Sequence, residues 1–184
     1  MQTQQRGDTM IDKLLELTDD ELKEQFIKYF GEEKWNQEEA LTKLWPLELY
    51  ICNDLGIDPI PVIVEDIIED ARYYDKENYI VISSNLIMDE IEAIKCLLHE
   101  LRHAYQIVCV TRNDSIEPLV NIWKEDLSRP INLLSYDEQL CLSVEIDAYA
   151  YQKYMLKLLY DIDWHYPDSV YDGIISLYMN KYMN

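Results

Sequence analysis

The sequence predicts an α+β fold that is mainly helical, with a small antiparallel or mixed sheet. Apolar residues recur at helical spacing along most of the 184 residues. After Ile57 this pattern gives way to short β-branched runs separated by polar turns. A chain of this length ordinarily builds one core. Residues 1–184 are therefore expected to form a single domain, with residues 1–39 as an N-terminal helical scaffold.

Three helices are expected in the first third of the chain, the first of them from about Met10. Thr18, with Glu21 three positions later, forms a capping box that starts the second helix. A third helix is expected over residues 36–55, and Gly56 is well placed to end it because glycine readily adopts a positive φ. Pro46 should kink or split this helix, since proline lacks the N–H that the helix needs.

Three strands and then a long helix are expected in the centre of the chain. Residues 60–64 form a short β-branched run, as a strand does. Residues 71–74 and 79–83 flank a polar connection that is typical of an antiparallel hairpin. Asp89, with Glu92 three positions on, predicts the start of the long helix.

The last third of the chain is again expected to be helical. Residues 111–134 show weak periodicity around two prolines, which predicts a connection with one helical turn around Trp123. A capping box at Ser135 predicts a long helix that reaches about Tyr160. Residues 167–183 predict one more short helix.

The chain is strongly acidic, with 36 Asp and Glu against 16 Lys and Arg, a formal net charge of -20 and a pI near 4.3. Such a field repels phosphate backbones and anionic lipid, so direct binding to nucleic acid or to a membrane is not expected. Basic protein or peptide partners are favoured instead; the alternative is that the acidic residues only keep the protein in solution. No apolar run reaches about 18 residues, and the four cysteines stand singly, as buried thiols do. A cytoplasmic location is therefore expected.

One short motif carries the functional prediction. Residues 99–103 read H-E-x-x-H within the predicted central helix. Because four residues make about one helical turn, His99 and His103 project from the same face and can bind one metal ion. Glu100 lies beside the first histidine, where it can act as a general base. The motif therefore predicts a catalytic zinc site.

A catalytic zinc needs a third protein ligand and leaves one coordination position open. Glu145 is the predicted third ligand, because it lies within a helix among small and aromatic residues, where an unpaired carboxylate would be costly. Asp147 and His165 are its competitors for the metal. The predicted metal ligands are thus His99, His103 and Glu145.

Further polar residues near these motifs are candidates for supporting roles. Gln106 lies on the same helix face as His103, so it either orients this ligand or contacts substrate. Asp147 is a second candidate for supporting a ligating imidazole. The candidate donors to the oxyanion that forms during attack on a peptide carbonyl are Tyr105, Tyr149 and His165.

The order of elements, together with two motifs, resembles the ImmA/IrrE-type metallopeptidases, which are gluzincin-like. That family pairs H-E-x-x-H with a later E-A-[ND]-x-[FY]-A-like segment, which here falls on Glu145, Asp147, Tyr149 and Ala150. The resemblance covers roughly residues 40–159. It implies a zincin-like domain with zinc-dependent endopeptidase activity, of a kind often found in bacterial, phage or mobile-element proteins. The chain departs from the family pattern at Arg102 and Ile146, where the family often has small residues.

The expected function is hydrolysis of peptide bonds in an intracellular protein substrate by metal-activated water, with Zn²⁺ as the cofactor. The acidic surface favours basic substrate segments. Two alternatives remain open. One is an acidic, non-enzymatic inhibitor or binding protein that mimics nucleic acid. The other is a catalytically silent zincin scaffold that binds zinc without turnover.

Overall fold

A computed structural model describes residues 13–14, 16–30, 37–113 and 117–183. These residues form a mixed α+β arrangement of seven α-helices and a three-stranded sheet, so the predicted fold class is confirmed at this level. In chain order the elements are α1 (Asp19–Phe30), α2 (Gln37–Leu55), β1 (Val62–Glu65), β2 (Ala71–Tyr74), β3 (Tyr79–Ser83), α3 (Glu90–Arg112), α4 (Val120–Leu127), α5 (Tyr136–Leu140), α6 (Ser143–Tyr160) and α7 (Ser169–Met179).

The sheet has the order β1-β3-β2, with β3 in the centre. The predicted hairpin is confirmed, since β2 and β3 pair in antiparallel fashion and Asn78 in their turn has a φ of 55°. β1 pairs with β3 in parallel, with Val62 opposite Ile80. The sheet is therefore mixed rather than mainly antiparallel, because the chain leaving β1 crosses to the far side of β3 before β2 begins.

The long central helix α3 lies between the sheet and α6. Its start is as predicted: the Asp89 side chain accepts a hydrogen bond of 3.1 Å from the Glu92 N–H. Leu97, Leu98 and Leu101 are fully buried in the main core, together with Ile80 and Ile82 of β3. Helix α3 packs against both β2 and α6, and this packing fixes the surroundings of its motif.

Two predicted helix ends in the N-terminal half are confirmed, whereas the helix expected from about Met10 lies largely outside the described residues. The capping box of α1 is present, since the Thr18 N–H donates to a Glu21 carboxylate oxygen over 2.9 Å. Gly56 follows α2 with a φ of 65°, as expected for a helix stop. Of the two effects predicted for Pro46, the split is absent, because α2 runs through this residue without a break. Leu44, Leu47 and Ile51 of this helix are buried in the core, and their packing outweighs one missing helix hydrogen bond.

The segment between α3 and α6 is more ordered than predicted. The single turn expected around Trp123 is a helix of eight residues, α4, because Trp123 is fully buried and anchors it. The capping box at Ser135 is present but opens only the short α5. The long helix α6 starts anew at Ser143, whose N–H donates to Asp126 of α4 over 2.7 Å. This cap comes from a distant part of the sequence, so local spacing could not reveal it.

Two expectations drawn from composition concern membrane-spanning helices and the burial of the cysteines. None of the helices in the described ranges is both long and apolar enough to cross a membrane. The four cysteines, all in described parts of the chain, are free thiols. Cys52 and Cys109 are buried, but Cys141 is exposed, so the expectation of four buried thiols is wrong. Cys141 lies in the break between α5 and α6.

Candidate metal centre

Three side chains from two helices converge on one point. His99 and His103 lie one turn apart on α3, and their Nε2 atoms are 3.0 Å apart. Glu145, in the first turn of α6, places Oε2 3.3 Å from His99 Nε2 and Oε1 3.5 Å from His103 Nε2. The structure thus brings together the three residues that the sequence nominated as metal ligands.

This spacing fits a tetrahedral zinc ion. Two donor atoms that each lie about 2.0–2.1 Å from a zinc ion, at the tetrahedral angle, are about 3.3 Å from one another. The three separations here, 3.0, 3.3 and 3.5 Å, are close to that value, with one oxygen of Glu145 near each imidazole. Two histidines and one glutamate are also a donor set used by catalytic zinc sites, with a fourth position left for water or substrate. In number, chemistry and spacing, the residues present fit zinc.

Buried charges shape the centre when no metal is bound. Burial alone would lower the pKa of His103, but the Glu145 carboxylate, with which it forms an ion pair, outweighs burial and raises that pKa to about 9. For Glu145, burial alone would raise the pKa, yet His103 and His99 hold it far below its ordinary value. In the metal-free centre, the ionised Glu145 carboxylate therefore lies beside a protonated His103 at neutral pH.

The predicted general base, Glu100, lies between the metal centre and the sheet. Its side chain is almost fully buried, and its Oε2 accepts a hydrogen bond of 2.7 Å from the Tyr73 N–H. Tyr73 belongs to β2, an outer strand, and its N–H points away from β3 toward α3. The edge of the sheet therefore holds one oxygen of Glu100. The contact joins residues 27 positions apart, and no sequence pattern indicates it.

Gln106 orients one of the two histidines. Its Oε1 lies 2.9 Å from His103 Nδ1, and its Nε2 donates to the Val144 carbonyl over 2.9 Å and to Asp147 Oδ2 over 2.8 Å. Because the amide oxygen accepts, Nδ1 of His103 carries the proton and Nε2 offers its lone pair to a metal. Gln106 is fully buried, so of its two predicted roles the structure favours ligand orientation over contact with substrate.

Asp147 is not placed as a metal ligand. It is fully buried and accepts hydrogen bonds from Arg102 Nε over 2.8 Å, from the Tyr182 hydroxyl over 2.6 Å and from Lys181. Burial would raise its pKa, but the positive charges of Arg102 and Lys181 outweigh burial and lower it. Asp147 therefore supports His103 indirectly, through Gln106.

The structure explains the presence of Arg102 at a position where the ImmA/IrrE-type metallopeptidases often have a small residue. Its guanidinium is buried against Asp147 and lies over four aromatic rings, at 4.4 to 5.3 Å from their centroids. These rings belong to Tyr105, Trp123, Tyr151 and Tyr182. A small side chain would leave this space empty, so Arg102 is needed to fill the space between these rings.

His99 is supported by aromatic rings rather than by a polar partner. Its Nδ1 is buried and has no hydrogen-bond partner within the described residues. The ring of Tyr149 lies 4.4 Å away, centroid to centroid, and Trp164 stacks on Tyr149 at 6.1 Å. Tyr166 contacts Tyr149 from another side, edge to face. Sequence reasoning missed Trp164 and Tyr166, although the aromatic run at 164–166 was a visible signal.

The three candidate oxyanion donors lie in different places. Tyr149 is in contact with His99, as described above. The Tyr105 hydroxyl instead lies 3.4 Å from Glu117, on the side of α3 that faces α4. His165 is largely exposed, and its Nδ1 lies 2.9 Å from Asp172 Oδ2 of α7. Only Tyr149 of these three contacts a residue of the metal centre.

Comparison with known proteins gives no match that bears on the function of this chain. No protein-family model matches the chain, and no curated protein or solved structure matches it at a significant level. The resemblance to the ImmA/IrrE-type metallopeptidases therefore depends on its two motifs. The assignment of His99, His103 and Glu145 to a candidate metal centre rests on the distances between their atoms.

Proposed function

We propose that this chain is a zinc-dependent peptidase with a zincin-like, gluzincin-type domain related to the ImmA/IrrE-type metallopeptidases. One observation supports the proposal above all others. His99, His103 and Glu145 converge so that one ligand atom from each lies within 4.8 Å of the others, and Glu100 follows His99 in the same helix. No structural role for the fold requires two imidazoles and a carboxylate to meet in this way, because well-packed apolar residues would stabilise the core as well or better.

The roles of the side chains follow from their positions. A bound zinc would polarise a substrate carbonyl and make a water molecule acidic enough to ionise near neutral pH. Glu100 takes the proton of the attacking water and later gives it to the leaving amine. Tyr73 fixes one oxygen of Glu100 and leaves the other for this proton.

Tyr149 is the proposed donor to the oxyanion. Burial, and then the negative charge of Glu145, raise the pKa of its phenol, so the hydroxyl keeps its proton at neutral pH. A neutral hydroxyl beside the metal centre can donate to the oxygen that becomes charged during the reaction.

The outer edge of β2 is the proposed support for the substrate main chain. Main-chain groups along a strand alternate between its two edges. The Asp70 carbonyl faces β3, where it accepts from the Ser83 N–H, whereas the Tyr73 N–H faces outward. Ala71 and the carbonyl of Tyr73 thus lie on the outer edge, next to Glu100. An extended peptide that pairs with this edge would pass the metal centre.

Two measurements test the proposal in sequence. Elemental analysis of the purified protein should give one zinc per chain, and His99→Ala or Glu145→Ala should lose it. Glu100→Gln should keep the zinc and lose cleavage of substrates identified in a proteome-wide search for new peptide ends. Glu125→Gln is the control, because it removes the same charge from an exposed residue of α4. This variant should keep both the zinc and the cleavage activity. Equal cleavage by the parent and by Glu100→Gln would contradict the proposed mechanism.

The same experiments recognise the two alternatives. Stoichiometric zinc with no cleavage of any substrate would identify a catalytically silent zincin scaffold. An acidic binding protein would capture a basic, nucleic-acid-binding partner, and this capture would survive both a chelator and Glu100→Gln. The net charge of -20 motivates that alternative. The convergence of the three donor atoms gives it no support, since a mimic of nucleic acid needs no metal site.

A further inference from the structure

A second candidate site lies on the side of the sheet away from the metal centre. A pocket of about 470 Å³ opens between α2 and the segment that leads into β1. Its walls are mainly apolar and include Leu41, Trp45, Pro59, Pro61 and Val62. A pocket of this size is within the range of those that bind small ligands or single side chains.

The carboxylate of Glu48 lines this pocket. Glu48 is 3% exposed, and its Oε1 accepts hydrogen bonds from the Ile60 N–H at 2.7 Å and from the Cys52 thiol at 3.3 Å. Both hydrogen bonds that its carboxylate receives within the described residues go to Oε1. Oε2 is not among the side-chain atoms that are buried without a partner, so it keeps access to solvent. A donor that entered the pocket could therefore reach Oε2 and form a charge-assisted hydrogen bond with it.

Trp45 supplies a second element of recognition. Trp45 lies three residues before Glu48 on the same face of α2, and 40% of its surface is exposed. An indole at the rim of an acidic pocket can pack along an aliphatic stem and attract a cation to its face. An alkyl chain that ends in a cation therefore matches both the walls and the carboxylate.

We propose that this pocket binds the side chain of a lysine or arginine from a protein or peptide partner. The ammonium or guanidinium group pairs with Glu48, while the aliphatic stem lies against Trp45 and the two prolines. Charge complementarity selects this occupant, since the chain carries 36 acidic and 16 basic residues and attracts cationic segments at long range. An anionic or purely apolar occupant would displace solvent from Oε2 of Glu48 without offering it a donor.

This site is separate from the proposed peptidase centre. β3 lies between β1 and β2, so the two outer strands are about 9–10 Å apart at the usual strand spacing. None of the pocket residues belongs to the metal centre. The proposal therefore depends neither on zinc nor on catalysis, and it stands or falls independently of the proposed function.

Nuclear magnetic resonance titration of the full chain tests the proposal. The probe is the peptide acetyl-Ala-Arg-Ala-amide, and the reporters are the Ile60 amide, which donates to Glu48, and the Trp45 indole. We expect saturable shifts at both reporters, unchanged by a zinc chelator. The citrulline peptide, which has the same shape but no charge, should bind at least tenfold more weakly.

Matched variants separate the carboxylate from general charge. Glu48→Gln keeps an oxygen that can accept from Ile60 but removes the charge, so it should weaken binding of the arginine peptide at least tenfold. Asp58→Asn removes one charge from an exposed residue nearby and should leave the affinity unchanged. If Glu48→Gln does not fold, Trp45→Leu at the exposed rim serves instead and should weaken binding several-fold.

Three results would overturn the proposal. The first is equal affinity for the arginine and citrulline peptides. The second is the absence of saturable shifts at millimolar peptide. The third is a set of shifts at His99 and His103 instead of Ile60, or shifts that a chelator abolishes, because binding would then belong to the metal centre.

Discussion

Replacing Gln106 with leucine should weaken zinc binding without removing a single ligand. Leucine is close to glutamine in volume, so packing is largely kept, but the hydrogen bonds to His103, Val144 and Asp147 are lost. Asp147 keeps three other donors, whereas the Nδ1–H of His103 is left buried without an acceptor. An unpaired buried donor costs about 1–3 kcal/mol. Loss of a partner that orients a ligand typically lowers metal affinity by about 10–100-fold, equivalent to about 1.4–2.7 kcal/mol.

Competition with a fluorescent zinc chelator measures this affinity directly. Urea unfolding of the metal-free protein, run in parallel, gives the free energy of unfolding and separates a loss of stability from a loss of zinc. Gln152→Leu is the matched control, because Gln152 is also buried and its Nε2 has no hydrogen-bond partner in the described chain. The control should keep its zinc affinity, and its stability should be unchanged or slightly higher.

The reasoning would be refuted if Gln106→Leu bound zinc as tightly as the parent. In that case the ring of His103 would be held by packing alone, and the hydrogen bond would have no influence on which nitrogen faces the metal. Equal losses of zinc affinity in both glutamine variants would also refute it, since the effect would then follow from any change in the interior.

Further predictions concern protons, helix capping and the third ligand. Zinc binding should release close to one proton at pH 7 and progressively fewer as the pH rises through about 9, because the raised pKa of His103 keeps it protonated in the metal-free protein. Calorimetry in buffers of different ionisation enthalpy measures the number of protons released. A proton release that does not depend on pH would contradict this prediction. Asp126→Ala should lower the free energy of unfolding by about 0.5–2 kcal/mol, since Asp126 caps α6 at Ser143; unchanged urea unfolding would show that the cap is dispensable. Glu145→Gln should bind zinc at least tenfold more weakly and still fold, because a neutral amide is a poor zinc ligand; retained zinc affinity would exclude Glu145 from the centre.

Sequence reasoning worked best where one local segment decides the outcome. The relation between His99 and His103 is set by one turn of α3, and the capping boxes at Thr18 and Ser135 are both present. The break before Ser143 could not be predicted in this way, because the cap that starts α6 comes from Asp126, 17 residues away. Local signals indicated the starts of α1, α3 and α5, whereas a tertiary contact decided the start of α6.

The candidate site shows the same division. The three side chains that converge at the candidate metal centre were predictable, because H-E-x-x-H is local and Glu145 lies in a recognisable segment. The surroundings were not, because they come from distant elements: Tyr73 of β2 reaches Glu100, and Lys181 reaches Asp147 across 34 residues. Such contacts depend on how helices and strands pack, which the spacing of residues in one chain does not encode.

The buried pair of Arg102 and Asp147 has a consequence for the choice of ion. It joins α3 to α6 next to the residues that supply the donor atoms, and both groups are almost completely enclosed. We therefore expect the spacing of these donor atoms to change little when an ion binds. Because two of the three donor residues are histidines, the centre should disfavour calcium, which takes six to eight oxygen ligands at about 2.3–2.6 Å.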